Sequence, residues 1–405
     1  MIKVKGKFNE AIIYTDDVDE TTLQQVERLL NQEFTQGSNI KIMPDCHAGI
    51  GCVIGTTMTI TDKIVPNLVG VDIGCGLNVI ELNKIDINLI KLDEFITNNI
   101  PSGFDVNDRV LDDSIDLSKM KCYSHLKNKN YLMRSIGSLG GGNHFIEIDV
   151  DDEGNKYLII HSGSRNLGTQ VAEYYQREAV RYHKNKILDI ELEKNRIIEE
   201  YHKTGRKKEI DKALKKLSKK KIDIGMPEEL AYLEGKLFND YLHDMEICQK
   251  FASLNRETMA KTIIKYLGLD YETLSKFETI HNYINLDDMI LRKGAISAYK
   301  DQRLIIPINM KDGCIIGLGK SYAPYNFSAP HGAGRLMSRR EAFRELSLKE
   351  FEDSMKGIYS TSVTKDTLDE APFVYKPIEM IIDNIGDTVE IEKIVKPIYN
   401  FKAKG

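Results

Sequence analysis

Short runs of β-branched and aliphatic residues stand beside clusters of glycine: Val65 to Val71, Leu77 to Leu82, Phe145 to Val150, Tyr157 to Ile160, Leu304 to Ile308 and Cys314 to Leu318. Runs of this length bounded by glycine predict strands that end in tight loops. From about Val171 to Tyr266 the pattern changes. Aliphatics such as Ile187, Ile190, Leu192, Ile197 and Ile198 are spaced among many Lys, Glu and Arg residues, which predicts helices. A second charged helical segment is predicted over Ser338 to Met355. Glycine-rich strand segments bracket the long helical stretch on both sides, and no internal repeat or low-complexity linker divides the chain. The expected architecture is α+β: a single domain over 1–405 with a β-rich core, and a charged helical insertion at 170–265 within it.

Composition narrows this picture only a little. With 41% hydrophobic and 29% charged residues, the 405-residue chain has the balance of a globular protein with a sizeable core, not of a disordered one. Lys and Arg number 56 against 61 Asp and Glu, a formal net charge of −5, so a polyanion would have to be met by a local patch. One such stretch exists at 203–221, where ten Lys and Arg face only Glu209 and Asp211. It reads either as a solvated helical hairpin or as a phosphate-backbone patch. No run approaches the ~18 to 20 apolar residues of a membrane helix, and MIKVKGKFNE at the start has no apolar signal core, so a cytoplasmic protein is expected. Six cysteines scattered over this length point to reduced thiols.

The candidate chemistry begins at 69–76, Val-Gly-Val-Asp-Ile-Gly-Cys-Gly, where Asp72 and Cys75 share one tight turn. A carboxylate and a thiolate so placed can face one cation, and a thiolate can bridge two. A buried small cysteine beside a capping aspartate would look the same. Four histidines add weight to the metal reading: His144, His161, His281 and His331 each stand where an apolar or irregular segment meets glycine or asparagine. The mixed O, N and S donor set suits Mn, Fe, Co or Zn without choosing among them. His125, His183, His202 and His243 lie in polar, helix-like contexts and read as structural or surface residues. Asp45, Cys46 and His47 resemble a ligand cluster by composition, although a turn after Pro44 accounts for Asp45 as well. Glycine-rich loops at 137–147, 161–165 and 331–340, with Arg165, Arg335, Arg339 and Arg340, offer backbone N–H groups and planar donors for phosphate. None matches a P-loop or a Rossmann fingerprint.

In order and spacing, VGVDIGCG, GGGNHFIE, HSGSR, IHNY, RKGAISA and SAPHGAGRLMSR resemble the RtcB family of RNA ligases, from about Met43 to Lys404. The resemblance implies an RtcB-like fold with a central metal site. It implies a ligase that joins an RNA 2′,3′-cyclic phosphate or 3′-phosphate end to a 5′-hydroxyl end, using GTP and two Mn(II) ions, in RNA repair or tRNA splicing. Carried over position by position, Asp72, Cys75, His144, His161 and His281 would be the metal ligands, with Cys75 bridging, and His331 the histidine that becomes guanylylated. Guanine nucleotide contacts would fall on Asn143, His144, Phe145, Ile146 and Glu147, on His281 and Asn282, on Pro307, Ile308, Asn309 and Met310, on Cys314, on His331, Gly332, Ala333 and Gly334, and on Lys404. Two positions depart from the family pattern: its Pro-Gly-Ser-Met turn is Pro307-Ile308-Asn309-Met310 here, and a serine expected shortly after is Cys314. An archease-type activator or a release-factor-like partner is compatible with the resemblance, and no membrane is implied. A metal-dependent phosphoesterase could use the same metal ligands without a nucleophilic histidine. A non-catalytic RNA-binding protein would instead rely on the basic stretch.

Overall fold

The computed structural model describes residues 1–187, 190–218 and 223–403. Seven antiparallel strands form the larger sheet, in the spatial order Lys276–Ile280, Gly76–Asn83, Lys156–Ser162, Phe145–Val150, Val389–Phe401, Gly313–Gly319 and Arg303–Asn309. The sheet curls until its two edges nearly meet. There the Arg303 guanidinium donates to Glu81 Oε1 at 2.6 Å and lies over the Phe277 ring at 4.5 Å, joining the last strand to the first two. Leu77, Val79, Phe145, Ile159, Ile305, Cys314, Ile316 and Val395 fill the inside of this barrel-like sheet. Period-2 alternation sends their neighbours Ile80, Ile146, Ile148, Leu158 and Ile160 outward into a second core.

A six-stranded sheet packs beside it, ordered Ile2–Lys5, Glu10–Ile13, Ile40–His47, Ile54–Thr59, Ile290–Lys293 and Asn282–Asn285. Most predicted strands appear where expected. Val65 to Val71 does not: Pro66–Val69 is a helical turn. Proline suits the first helical position because its fixed φ is pre-organised and its missing N–H would be unpaired there anyway.

The predicted helical stretch resolves into Arg165–Ile187, Ile190–Lys203, Ile210–Ser218 and Gly235–Tyr266. The segments Ile190–Lys203 and Ile210–Ser218 pack on one another. Gly235–Tyr266 is different: it buries Phe238, Tyr241, Met245, Cys248, Phe251, Met259 and Ile263, and runs against the strands Gly76–Asn83 and Lys156–Ser162. The charged segment near the C-terminus forms Arg339–Glu345 and Leu348–Ser354, each opened by a capping box, from Ser338 to Glu341 and from Ser347 to Glu350. Among the described residues no helix is long and apolar enough to cross a membrane.

Candidate metal centre and nucleotide cavity

One end of the barrel-like sheet carries the candidate residues. Asp72 and Cys75 lie on the turn that leads into the strand Gly76–Asn83, and Gly74 at φ +73° lets that turn close. His144 immediately precedes the strand Phe145–Val150, His161 lies near the end of Lys156–Ser162, and His281 sits between the strands Lys276–Ile280 and Asn282–Asn285. Adjacent strands therefore deliver their side chains to one point. Cys75 Sγ is 3.4 Å from His144 Nε2 and 3.3 Å from His161 Nε2. His144 Nε2 is 3.0 Å from Asp72 Oδ2, and the Nε2 atoms of His161 and His281 are 3.4 Å apart. All five residues named as ligands in the sequence are thus neighbours.

The surroundings tune these groups. Burial pushes the Cys75 thiol well up, and the Asp72 carboxylate adds to it. Burial also holds the His161 and His281 imidazoles well below their usual range, with neighbouring histidines adding to the effect, so both are neutral. Asp72 resists the upward push of burial because His144 stabilises its charged form. His144 Nδ1 lies 2.9 Å from the Leu139 carbonyl, which holds the ring with Nε2 facing the cluster, where a cation would take the Nε2 lone pair. Sulfur, carboxylate oxygen and three imidazole nitrogens are thereby packed against one another. A cation resolves that crowding, and the donor set fits a borderline divalent ion.

Two interactions from the chain's other parts hold the cluster in shape. Arg256, wholly buried in the helix Gly235–Tyr266, donates from Nη1 to the carbonyls of Gly74 and Ser162 at 2.8 and 2.6 Å, and from Nε to Glu278 at 2.7 Å. Gly163 is required for space, since a Cβ there would come within 2.1 Å of Asp72 Oδ1.

His331 lies beside the cluster, its ring centroid 4.9 Å from that of His281. Its Nδ1 is 2.7 Å from Asp45 Oδ2, which also accepts from the backbone N–H groups of His331 and Gly332 at 3.2 Å each. Asp45 is fully buried on the strand Ile40–His47. The arrangement puts the imidazole proton on Nδ1 and leaves Nε2 with its lone pair. The sequence offered Asp45 only as part of a composition-based cluster or as a turn residue; its partner is 286 positions away, beyond any local pattern.

Two cavities flank the centre. One, of about 820 Å³, is lined by His161, His331, Asn143, Phe145, Glu147, Pro307, Ile308, Asn309, Met310, Gly332, Ala333 and Gly334, together with His47, Arg335, Arg339, Glu370 and Lys402. Most of the residues expected at a nucleotide line it. Others lie elsewhere: Ile146 faces the opposite side of its strand into the apolar core, and Cys314 is enclosed in the barrel interior. Asn282 binds backbone on both sides, donating to the Asp72 carbonyl and accepting from the Gly294 N–H. Lys404 lies outside the described residues. Lys402 has its Nζ 2.8 Å from Glu370 within the cavity wall. Burial pushes the Glu147 carboxyl up to about 7, against the opposing pull of Lys402 and of Asn400, which donates to it. The other cavity, of about 1100 Å³, is lined by Asp72, His144, Arg165, Asn166, Tyr131, Phe104 and Lys402 among others. Arg165 is braced there by Ser138 and the Gly103 carbonyl. Arg335 and Arg339 are held by Glu370 and Asp369, and Arg340 is exposed.

Comparison with known proteins gives a consistent result. The RtcB family model, described as tRNA-splicing ligase RtcB, matches residues 25–128 and 112–403. The RNA-splicing ligase RtcB of Escherichia coli is 30% identical over 397 residues, covering 87% of this chain and 87% of that protein. The tRNA-splicing ligase RtcB of Aeropyrum pernix is 25% identical over 484 residues, covering 95% and 92%. That of Methanococcus maripaludis is 26% identical over 445 residues, covering 87% and 85%.

Proposed function

We propose, for a chain that belongs to the RtcB family of tRNA-splicing ligases, that it is an RNA ligase joining 3′-phosphate or 2′,3′-cyclic phosphate ends to 5′-hydroxyl ends at the expense of GTP. The observation that carries the reading is His331: an imidazole whose Nδ1 is fixed by a buried carboxylate at 2.7 Å, next to a cluster of metal-type donors and facing a cavity of nucleotide size.

Asp72, Cys75, His144, His161 and His281 would hold two Mn(II) ions, and the ions would supply charge neutralisation for phosphate oxygens during in-line displacement. His331 Nε2 attacks the α-phosphate of GTP. An N–P bond forms, the bond to the leaving pyrophosphate breaks, and Asp45 stabilises the positive charge that develops on the ring. An oxygen of the RNA 3′-phosphate then takes the guanylyl group from Nε2, and the 5′-hydroxyl displaces GMP. A cyclic phosphate must first be opened by water. Arg335, Arg339 and Lys402 place positive charge around the nucleotide cavity, and Arg165 does so in the adjoining one, which suits the RNA ends. Glu147 on the nucleotide cavity wall can accept from the N1 and N2 donors of guanine, a pairing that adenine lacks. Asn309 lies on the same wall where the family has a serine, so the phosphate or ribose contacts of this chain differ in detail.

The test is incubation with Mn(II) and α-labelled GTP, followed by a denaturing gel. A GTP-specific adduct that His331→Ala abolishes while metal content is retained is expected. A metal-loaded protein that ligates RNA without ever carrying label would overturn the covalent route.

A further inference from the structure

The strand Phe145–Val150 turns Phe145, Glu147 and Asp149 toward the inside of the barrel-like sheet, among Leu77, Val79, Ile159, Ile305 and Val395. From Gly313–Gly319, Cys314 reaches the same place, and the ligand-type atoms of Glu147, Asp149 and Cys314 all lie within 4.8 Å of one another. All three residues are buried. Two carboxyl groups in an apolar interior cost several kcal/mol unless something compensates them.

The compensation is uneven. Asn400 Nδ2 donates to Glu147 Oε1, while Asn400 Oδ1 keeps no partner. Asp151, two residues further on, is fully served by the Tyr157 hydroxyl, Lys393 Nζ and Asn155. Asp149 has 0% exposure, and neither of its oxygens receives an N–H or O–H donor; only the Cys314 thiol lies against it. A fold that satisfies one carboxylate completely and leaves its neighbour without a donor, with a sulfur beside it, presents unmet ligand atoms there. Glu147 also lines the cavity of about 820 Å³, which gives a small ion a way in.

We infer that Glu147, Asp149 and Cys314 form a second, buried site for a divalent cation of the zinc class, separate from the Cys75 and histidine cluster. Two carboxylate oxygens and a thiolate are donors that such an ion accepts, and its charge balances groups that otherwise must carry protons. Binding releases the thiol proton of Cys314 and any proton on the carboxyl pair. The inference does not depend on the ligase reading, because it rests on the juxtaposition of Glu147, Asp149 and Cys314 alone.

The test uses the full-length Cys75→Ala protein, loaded with Co(II) and freed of excess, so that Cys75 contributes no signal. A near-ultraviolet thiolate-to-cobalt absorption band is expected, lost on adding Cys314→Ser. In the Zn(II)-loaded protein, one equivalent of metal per chain is expected to disappear on adding Asp149→Asn. Should Cys75→Ala not fold, the difference spectrum between the wild-type protein and Cys314→Ser decides the same question. A folded protein with no cobalt–thiolate band, or a band and metal content that neither Cys314→Ser nor Asp149→Asn changes, would overturn the site and leave protons as the neutralising charge.

Discussion

Replacing Asp45 by asparagine tests the link between its buried charge and the chemistry at His331. Asp45 Oδ2 accepts three donors, from His331 Nδ1 at 2.7 Å and from the backbone N–H groups of His331 and Gly332 at 3.2 Å. An amide of the same shape has a single acceptor oxygen. Placed where Oδ2 lies, that oxygen keeps all three donors, and the amide nitrogen takes the place of Oδ1, which has no partner. The Nδ1 tautomer is then kept, and what is lost is the negative charge that would stabilise the imidazolium. Charge-assisted hydrogen bonds are about twice as strong as neutral ones, so a loss of about 10- to 100-fold in guanylylation rate is expected, or about 1.4–2.7 kcal/mol of barrier. Single-turnover label transfer from α-labelled GTP measures it, with metal content and melting temperature as controls, since the substitution keeps volume and shape. A rate within about twofold of wild type, with both controls unchanged, would refute the role given to the Asp45 charge.

Three further outcomes follow from contacts at the centre and on the surface. Gly163→Ala places a Cβ against Asp72 Oδ1, so Asp72 must move; metal affinity should fall at least tenfold by equilibrium dialysis, and an unchanged affinity would mean that Asp72 is not a ligand. Arg256→Met leaves the carbonyls of Gly74 and Ser162 without a donor and Glu278 without its ion pair, for a loss of about 3–5 kcal/mol in urea unfolding. A loss below ~1 kcal/mol would show that water replaces the guanidinium. Charge reversal at exposed Lys203, Arg206, Lys207 and Lys212 should weaken RNA binding and flatten its dependence on salt, whereas a solvated face would leave both unchanged.

The strands were legible because β-branched runs meet glycine at the same positions where the sheet turns. The run Val65 to Val71 misleads because its apolar content says nothing of Pro66, which opens a helical turn instead. In the helical stretch, Gly235–Tyr266 and the charged hairpin before it share a helical period, and only tertiary contacts separate the core helix from the exposed pair. At the site, glycine-flanked Asp72, Cys75 and the histidines could be picked out singly, since each stands at a strand end or loop. Arg256 and the pairing of Asp149 with Cys314 could not, and Asp45 stood out only in a composition-based cluster or as a turn residue. Their meaning lies in partners brought close by strand order, and no spacing along the chain encodes that order. The inward turn of Glu147 and the outward turn of Ile146 follow from pleat alternation once the strand is placed, but the motif alone offered both as nucleotide contacts.

The donors gathered around Cys75 come from the turn before one strand, the starts and ends of two others, and a junction beyond the long central helix. Such a centre has no local precursor: neither Asp72 with Cys75 nor any single histidine is a cage until the sheet has closed. During synthesis, His281 leaves the ribosome only after most of the chain has been made. An ion would therefore be captured by the folded sheet, and it would reinforce the finished structure by mass action, adding about 2.7 kcal/mol when the free ion stands at a hundred times its dissociation constant. On the proposed reading, a closed sheet and a loaded centre are then two separate requirements, and a chain can meet the first without the second.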